Sequence, residues 1–119
     1  MNLGVHEHDG VMMLTVTGSF ETVALESFSE SVEGLIDGGA RYFCLNLRGL
    51  EFINSTALGY LVGKAKELKK DGGALVLSEP SRFFTATFRT LELHHIFELF
   101  KDDDEAVHYF AKKRAGGAT

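Results

Sequence analysis

The chain has 119 residues, of which 45% are hydrophobic and 24% charged, and its formal net charge at pH 7 is −5. This length fits a single domain, and the negative charge argues against a nucleic-acid-binding domain, which ordinarily carries a basic face. No apolar run approaches the ~20 residues that a membrane-spanning helix needs, and the N-terminus lacks a signal-peptide pattern, so we expect a cytoplasmic protein without membrane insertion.

The first part of the chain predicts a hairpin followed by a helix. Residues 3–6 and 11–17 are two predicted strands, joined by a tight turn at Asp9 and Gly10. Residues 21–37 carry apolar side chains three and four positions apart, which is typical of an amphipathic helix packed on one side.

The middle of the chain alternates between strands and helices. Residues 42–47 form a nearly continuous apolar run, typical of a strand covered on both faces, and residues 48–53 are predicted to be the connection that follows it. Asn54 or Ser55 is then expected to cap a helix that runs to about residue 71.

The last part predicts two more strands and two more helices. Residues 74–77 read as a buried strand, and Ser78, with Pro80 in the first turn, is expected to open a third helix. Residues 96–100 are a candidate edge strand, and Asp102 or Asp103 is expected to cap a final helix. The whole pattern predicts one α/β domain over residues 1–114, followed by a flexible tail at residues 115–119. Its four- to five-stranded mixed sheet would carry about four helices, mainly on one side.

Cysteine and histidine offer no clear catalytic or metal site. The single cysteine, Cys44, excludes an internal disulfide and is expected to be a buried, unreactive core residue. His6, His8 and the pair His94 and His95 are interpreted as surface residues rather than metal ligands. We therefore expect no metal, no cofactor and no catalytic group, and a small enzyme is the weakest of the functional hypotheses.

The most informative stretch is residues 45–59, where a buried strand leads into two adjacent hydroxyl residues at a helix start. A capping role explains one of the two hydroxyls. Thr56, in the exposed first turn, is left without a structural role. A phosphate added there would be stabilised by unpaired N–H groups and the positive end of the helix dipole. From the residues alone, capping without modification is the commoner explanation. Gly59 and Gly63 similarly permit two readings, close packing on the sheet or close approach of a partner.

In this stretch the chain resembles the STAS domain family, specifically the anti-sigma factor antagonists of bacteria. The resemblance covers nearly the whole chain and includes residues 18–21, 72–77 and 93–97. Its most specific motif is an Asp, two hydroxyl residues and Gly-Leu-Gly, where this chain has Asn54-Ser55-Thr56-Ala57-Leu58-Gly59.

This resemblance implies a binding protein rather than an enzyme. Such a domain binds an anti-sigma factor that is also a serine/threonine kinase, and so frees a sigma factor until phosphorylation breaks the contact. Thr56 matches the phosphorylated residue, with Ser55 as the fallback. The implied partner-contact set is Glu21, Asn54, Ser55, Thr56, Ala57, Leu58 and Gly59. Because Asn54 and Ala57 depart from the family motif, the alternative is a constitutive, non-phosphorylated STAS subunit of a lipid-transport or stress-signalling assembly.

Overall fold

The secondary structure follows the predicted alternation of strands and helices. The computed structural model describes residues 1–117 and, within them, contains five strands and four α-helices. In chain order these are β1 (Asn2–His8), β2 (Val11–Phe20), α1 (Thr22–Asp37), β3 (Tyr42–Ile53), α2 (Ser55–Lys70), β4 (Ala74–Ser78), α3 (Arg82–Thr90), β5 (Leu99–Phe100) and α4 (Asp103–Gly117). A single 3₁₀ turn, Leu93–His95, lies between α3 and β5.

The strands form one mixed sheet in the order β1-β2-β3-β4-β5. β1 and β2 are the antiparallel hairpin, while the other neighbouring strands are parallel. Parallel neighbours require a crossover, and each of α1, α2 and α3 begins directly after a parallel strand, so their N-termini lie at the carboxyl edge of the sheet. The predicted mixed sheet is confirmed.

Two apolar layers cover the sheet. Side chains of α1, α2 and α3 pack on one face, where β3 contributes Phe43, Leu45 and Leu47. The intervening residue Cys44 points to the other face and packs with Phe110 of α4. This alternation is the period of two expected of a strand buried on both faces. Three of the four helices found in residues 1–117 share a face, as the sequence predicted.

The third strand is longer than predicted. Its last pair with β4 is Asn46 with Ser78, yet β3 continues beside β2 until Ile53 lies opposite Phe20. Residues 48–53 are therefore strand and not a connection. Register shifts interrupt the β2–β3 ladder, and Gly18 takes a φ of +87° next to one of them. These irregularities break the alternation of side chains by which strands are recognised. They also account for β2 running past its predicted end.

Other boundaries differ by a few residues. Ser81, and not Ser78, caps α3, because its Oγ accepts a hydrogen bond of 3.1 Å from the Phe84 N–H. Asp102 caps α4 by accepting the Glu105 N–H at 2.9 Å. That helix continues to Gly117, so residues 115–117 are helical where a tail was predicted. Residues 118 and 119 of that predicted tail lie outside the described residues. Among residues 1–117, no helix is long and apolar enough to cross a bilayer.

Candidate functional site

The N-termini of α1 and α2 are joined by one side chain, Asn54. Its Oδ1 accepts the Ala57 N–H at 2.9 Å, and its Nδ2 donates to Thr22 Oγ1 at 3.1 Å. Its own backbone N–H donates to the Phe20 carbonyl at 3.1 Å. Of the two residues predicted as possible caps, Asn54 is therefore the cap of α2. The same amide holds the start of α1 beside it.

Thr56 lies in the exposed first turn of α2, next to the exposed Ser55. The capping bond to this turn comes from Asn54, and neither hydroxyl is hydrogen-bonded to another side chain or backbone group of residues 1–117. The first turn of α2 also contains no acidic side chain. Both hydroxyls are thus open to solvent at the positive end of a helix dipole, a position that favours added negative charge.

The remaining residues of the predicted set fall into two groups. Glu21 is exposed at the N-cap position of α1, and its side chain makes no capping bond. Leu58 is half-buried and packs against the core. Ala57 is 0% exposed, so its methyl group belongs to the core and offers no surface to a partner. The prediction that Ala57 contacts a partner is therefore wrong.

One exposed stripe runs the length of α2 at the spacing of a single helical face. We call it the α2 stripe, and it consists of Thr56, Gly59, Gly63, Lys66 and Lys70. A Cβ placed on either glycine would meet no heavy atom within 4 Å. Close packing on the sheet, the structural alternative for these glycines, is therefore wrong. Each glycine costs about 1 kcal/mol of helix stability relative to alanine, with no packing contact to offset it.

Two exposed apolar side chains near the N-termini of α1 and α2 were not predicted from the sequence. Val23, in the first turn of α1, is 90% exposed. Phe52, near the end of β3, is 42% exposed, and its ring centroid lies 5.7 Å from that of Phe83 on α3. Val23 lies outside the apolar stripe of α1. Its exposure could therefore have been predicted from the sequence. Phe52 was predicted to lie in a connection, so no sequence pattern indicated that its side chain is held on a strand.

An ion pair and a hydrogen bond join α1 and α2 beside the α2 stripe. Lys64 forms ion pairs with Glu33 of α1 and, at 2.6 Å, with Glu67 of α2. The Tyr60 hydroxyl donates to Glu33 Oε2 at 3.1 Å. The hydrogen bond from Lys64 lowers the pKa of Glu33. Burial acts against the charge of Lys64, but its bonds to Glu33 and Glu67 outweigh burial and raise the pKa of Lys64. Lys64 is thus a structural residue that links α1 and α2.

The cysteine is buried, as predicted. Cys44 is 0% exposed, and its Sγ lies 3.3 Å from the Ser78 hydroxyl. Burial raises the pKa of the Cys44 thiol to about 12, although the bond to Ser78 acts in the opposite direction. Ser78 in turn donates to Asp103 Oδ1 at 2.6 Å, which ties the start of α4 to the sheet. These contacts describe a structural network and not an activated nucleophile.

The histidines are exposed. His6 and His8 lie on the outer strand β1, and His94 and His95 form the 3₁₀ turn. Within residues 1–117, no group of three or more His, Cys, Asp or Glu side chains is placed to hold a metal ion.

Comparison with known proteins matches this chain to one family model. The STAS domain family matches residues 2–106. The anti-sigma-B factor antagonist of Bacillus subtilis is 25% identical over 107 residues, which cover 90% of this chain and 97% of that protein. A Thermotoga maritima protein assigned as an anti-sigma factor antagonist superimposes with a TM-score of 0.83 at 21% identity, covering 90% of this chain and 92% of the other.

The anti-sigma factor antagonist SpoIIAA of Bacillus matches in two forms. Its unphosphorylated structure gives a TM-score of 0.71 at 19% identity, and its phosphorylated structure gives 0.72 at 20% identity. Each match covers 92% of this chain, and 98% or 99% of SpoIIAA respectively. At these identities the structural likenesses establish the shared fold.

Proposed function

Because the chain belongs to the STAS domain family, we propose that it is an anti-sigma factor antagonist, switched by phosphorylation of Thr56. Unmodified, it binds an anti-sigma factor that is also a serine/threonine kinase, and the sigma factor is released. Modified, it loses that partner. The chain itself performs no catalytic step. We place it in the cytoplasm, where ATP-dependent kinases and sigma factors act.

The observation that carries this proposal is the open Thr56 hydroxyl at the start of the α2 stripe. A kinase needs a hydroxyl that can enter its active site, and Thr56 meets this need without local unfolding. Ser55 is equally exposed and is the fallback acceptor. Asn54, which replaces the family's Asp, caps α2 in the same way as a carboxylate oxygen, so the acceptor's position is preserved.

The partner-contact surface is broader than the sequence motif. We assign to it the α2 stripe, the exposed residue Glu21 and the apolar side chains of Val23 and Phe52. Gly59 and Gly63 leave the helix backbone uncovered by side chains, so a partner's backbone can approach the helix closely there. Lys66 and Lys70 at the far end favour an acidic region on the partner.

Phosphorylation then acts on the complex and not on the fold. A phosphate brings about −1.5 to −2 charges at pH 7 and a strongly held hydration shell. At a helix N-terminus it does not disturb the isolated domain. In the contact surface it must be desolvated, it displaces the partner by its bulk, and it repels acidic groups there.

The deciding experiment measures phosphate transfer and binding together. The host's candidate anti-sigma kinase is incubated with ATP and this chain, and intact mass is recorded for wild type, Thr56→Ala and the matched control Ser55→Ala. We expect a gain of one phosphate in wild type and Ser55→Ala, and none in Thr56→Ala. Purified phosphoprotein should lose affinity for the kinase by about tenfold or more, as expected for a charge forced into an interface.

Two results would contradict parts of the proposal. Binding to the kinase without any phosphate transfer would identify a constitutive STAS subunit. Binding to no anti-sigma factor of the host would remove the assigned function as a whole.

A further inference from the structure

A second candidate site lies at the opposite end of α2, where the edge of β4 is open. β5 has only two residues, and they pair with Leu77 and Ser78 at the end of β4. The first three residues of β4, Ala74 to Val76, therefore have no strand on their outer side. A cavity of about 190 Å³ occupies this position, between α2, the 3₁₀ turn and α4.

The backbone of Leu75 faces this cavity without a partner. In a parallel sheet, successive residues direct their N–H and C=O groups alternately to opposite neighbours. The Ala74 N–H bonds to the Arg41 carbonyl on the β3 side, and the Leu77 N–H bonds to the Glu98 carbonyl on the β5 side. Leu75 thus points outward like Leu77, yet no backbone hydrogen bond from the described residues meets it there. Leu75 is only 6% exposed and lines the cavity, so its outward N–H and C=O groups are directed into the cavity.

Most of the polar side chains that line the cavity are hydrogen-bond donors, and the remaining lining is apolar. Lys69 comes from the last turn of α2, Lys113 from α4, and His94 and His95 from the 3₁₀ turn, while Glu98 is the one carboxylate in the lining. The two imidazole rings stand with centroids 4.0 Å apart. The phenol of Tyr109 completes the polar lining.

We propose that this cavity binds a small tetrahedral oxyanion, namely a phosphate group. The donors come from four different elements and surround the space, whereas a planar carboxylate would use donors lying in one plane. Two ammonium groups supply the charge, and the Leu75 N–H supplies a fixed donor to one oxygen. The phosphate is either free or part of a small phosphorylated molecule, since the cavity opens to solvent.

This site is separate from the proposed phosphoacceptor. Thr56 is in the first turn of α2 and Lys69 in the last, so about 20 Å of helix lies between them. The inference therefore does not depend on the proposed function. Loss of the phosphate-binding residues should leave Thr56 phosphorylation and partner binding unchanged.

The test is a titration of the whole chain with inorganic phosphate, followed by amide NMR at constant ionic strength, with sodium chloride as the matched salt. We expect saturable shifts at the amides of Leu75, His94 and His95. In the double variant Lys69→Gln with Lys113→Gln, affinity should fall by about tenfold or more, because two charge-assisted bonds to the phosphate are lost. The control double variant, Lys70→Gln with Lys112→Gln, changes neighbouring lysines outside the cavity and should bind like wild type.

Further arms keep the result decisive. Glycerol phosphate replaces inorganic phosphate in one arm, and tighter binding there identifies a phosphorylated small molecule as the ligand. Should the lysine double variant unfold, His94→Gln with His95→Gln tests the same cavity. Shifts that grow linearly without saturation, or that are equal in both lysine double variants, would overturn the proposal, because they would reflect general screening of surface charge.

Discussion

The side chains of Asn54 and Thr22 are hydrogen-bonded to each other, Nδ2 to Oγ1 at 3.1 Å, and this contact joins the first turns of α2 and α1. Since Asn54 also caps α2 through Ala57, one residue orders both helix starts next to Thr56. The presentation of the proposed phosphoacceptor therefore depends on Asn54 more than on any hydroxyl in the motif.

Replacing Asn54 by alanine should destabilise the domain. The variant loses the cap and the contact with Thr22, so we expect the free energy of unfolding to fall by about 1–2 kcal/mol. Asn54→Asp should be close to neutral, because a carboxylate caps Ala57 and accepts a bond from the Thr22 hydroxyl. Urea denaturation of both variants measures the difference. Equal losses in both would show that the amide is required for another reason.

The glycines of the α2 stripe should lower the stability of the domain and strengthen partner binding. Gly59→Ala and Gly63→Ala add a methyl group in open space on a helix, so each should raise the free energy of unfolding by about 0.5–1 kcal/mol. The same methyl groups would block the close approach of a partner and should weaken the complex with the proposed anti-sigma kinase. Thermal unfolding and a binding titration are measured on the same samples. Gains in stability with unchanged affinity would remove the two glycines from the contact surface.

Val23 and Phe52 should contribute to partner binding, and Val23 should add little to the fold of the unbound chain. Val23→Ser removes a side chain that is 90% exposed, so we expect the melting temperature to change little. Burial of such apolar groups in an interface is worth about 1–3 kcal/mol, so the affinity should fall by roughly tenfold or more. Phe52→Ser should weaken binding similarly.

Leu91 provides the matched control for those two changes. It is 53% exposed and lies at the other end of α3, away from the corner that presents Thr56. Leu91→Ser should leave affinity unchanged. If all three variants weaken binding alike, the effect comes from general surface hydrophobicity and not from the assigned surface.

Cys44 should be unreactive in the folded protein. Its burial and its raised pKa, about 12, keep the thiol protonated at neutral pH, whereas the thiolate is the reacting form. A thiol reagent such as Ellman's reagent should therefore label Cys44 only as fast as the domain unfolds, and at once in denaturant. Rapid labelling of the native protein would contradict the buried position of β3.

The Lys64–Glu33 pair predicts a stability that depends on pH in a definite direction. The pKa of Glu33 is lowered from 4.5, so its contribution is present above pH 4.5 and is lost as pH falls through the folded pKa. The pKa of Lys64 is raised from 10.5, so its contribution is lost as pH rises above that value. Denaturation is measured across pH. As pH falls into the acid range, the free energy of unfolding should decrease less for Lys64→Met than for wild type. An identical acid limb would show that the pair contributes nothing measurable.

Much of the fold was predictable because its signals are local. The apolar stripes of α1 and α2 and the buried run of β3 are repeated patterns that a few residues suffice to reveal. Asn54 was recognisable as one of two possible caps, since capping depends on residues three positions apart. Cys44 was assigned correctly because apolar neighbours surround it in the chain.

The features that escaped prediction depend on residues distant in the chain. The extension of β3 rests on pairing with β2 across irregular register, which no local pattern records. The burial of Ala57 and the exposure of Gly59 follow from how α2 rotates against the sheet. For the same reason, the cavity beside Leu75 could not be foreseen, since it exists only because β5 is so short.

The length of β3 gives the domain a projecting corner. Residues 47–53 continue past the end of β4, supported mainly by β2 and by α3, which brings the starts of α1 and α2 about 20 Å beyond the last β3–β4 pair. The extents of the molecule are 40 × 28 × 23 Å. Enzyme active sites are recessed, and a convex tip of this kind fits into such a recess as a rigid body. For the kinase partner of the proposed function, we therefore expect a concave complementary surface.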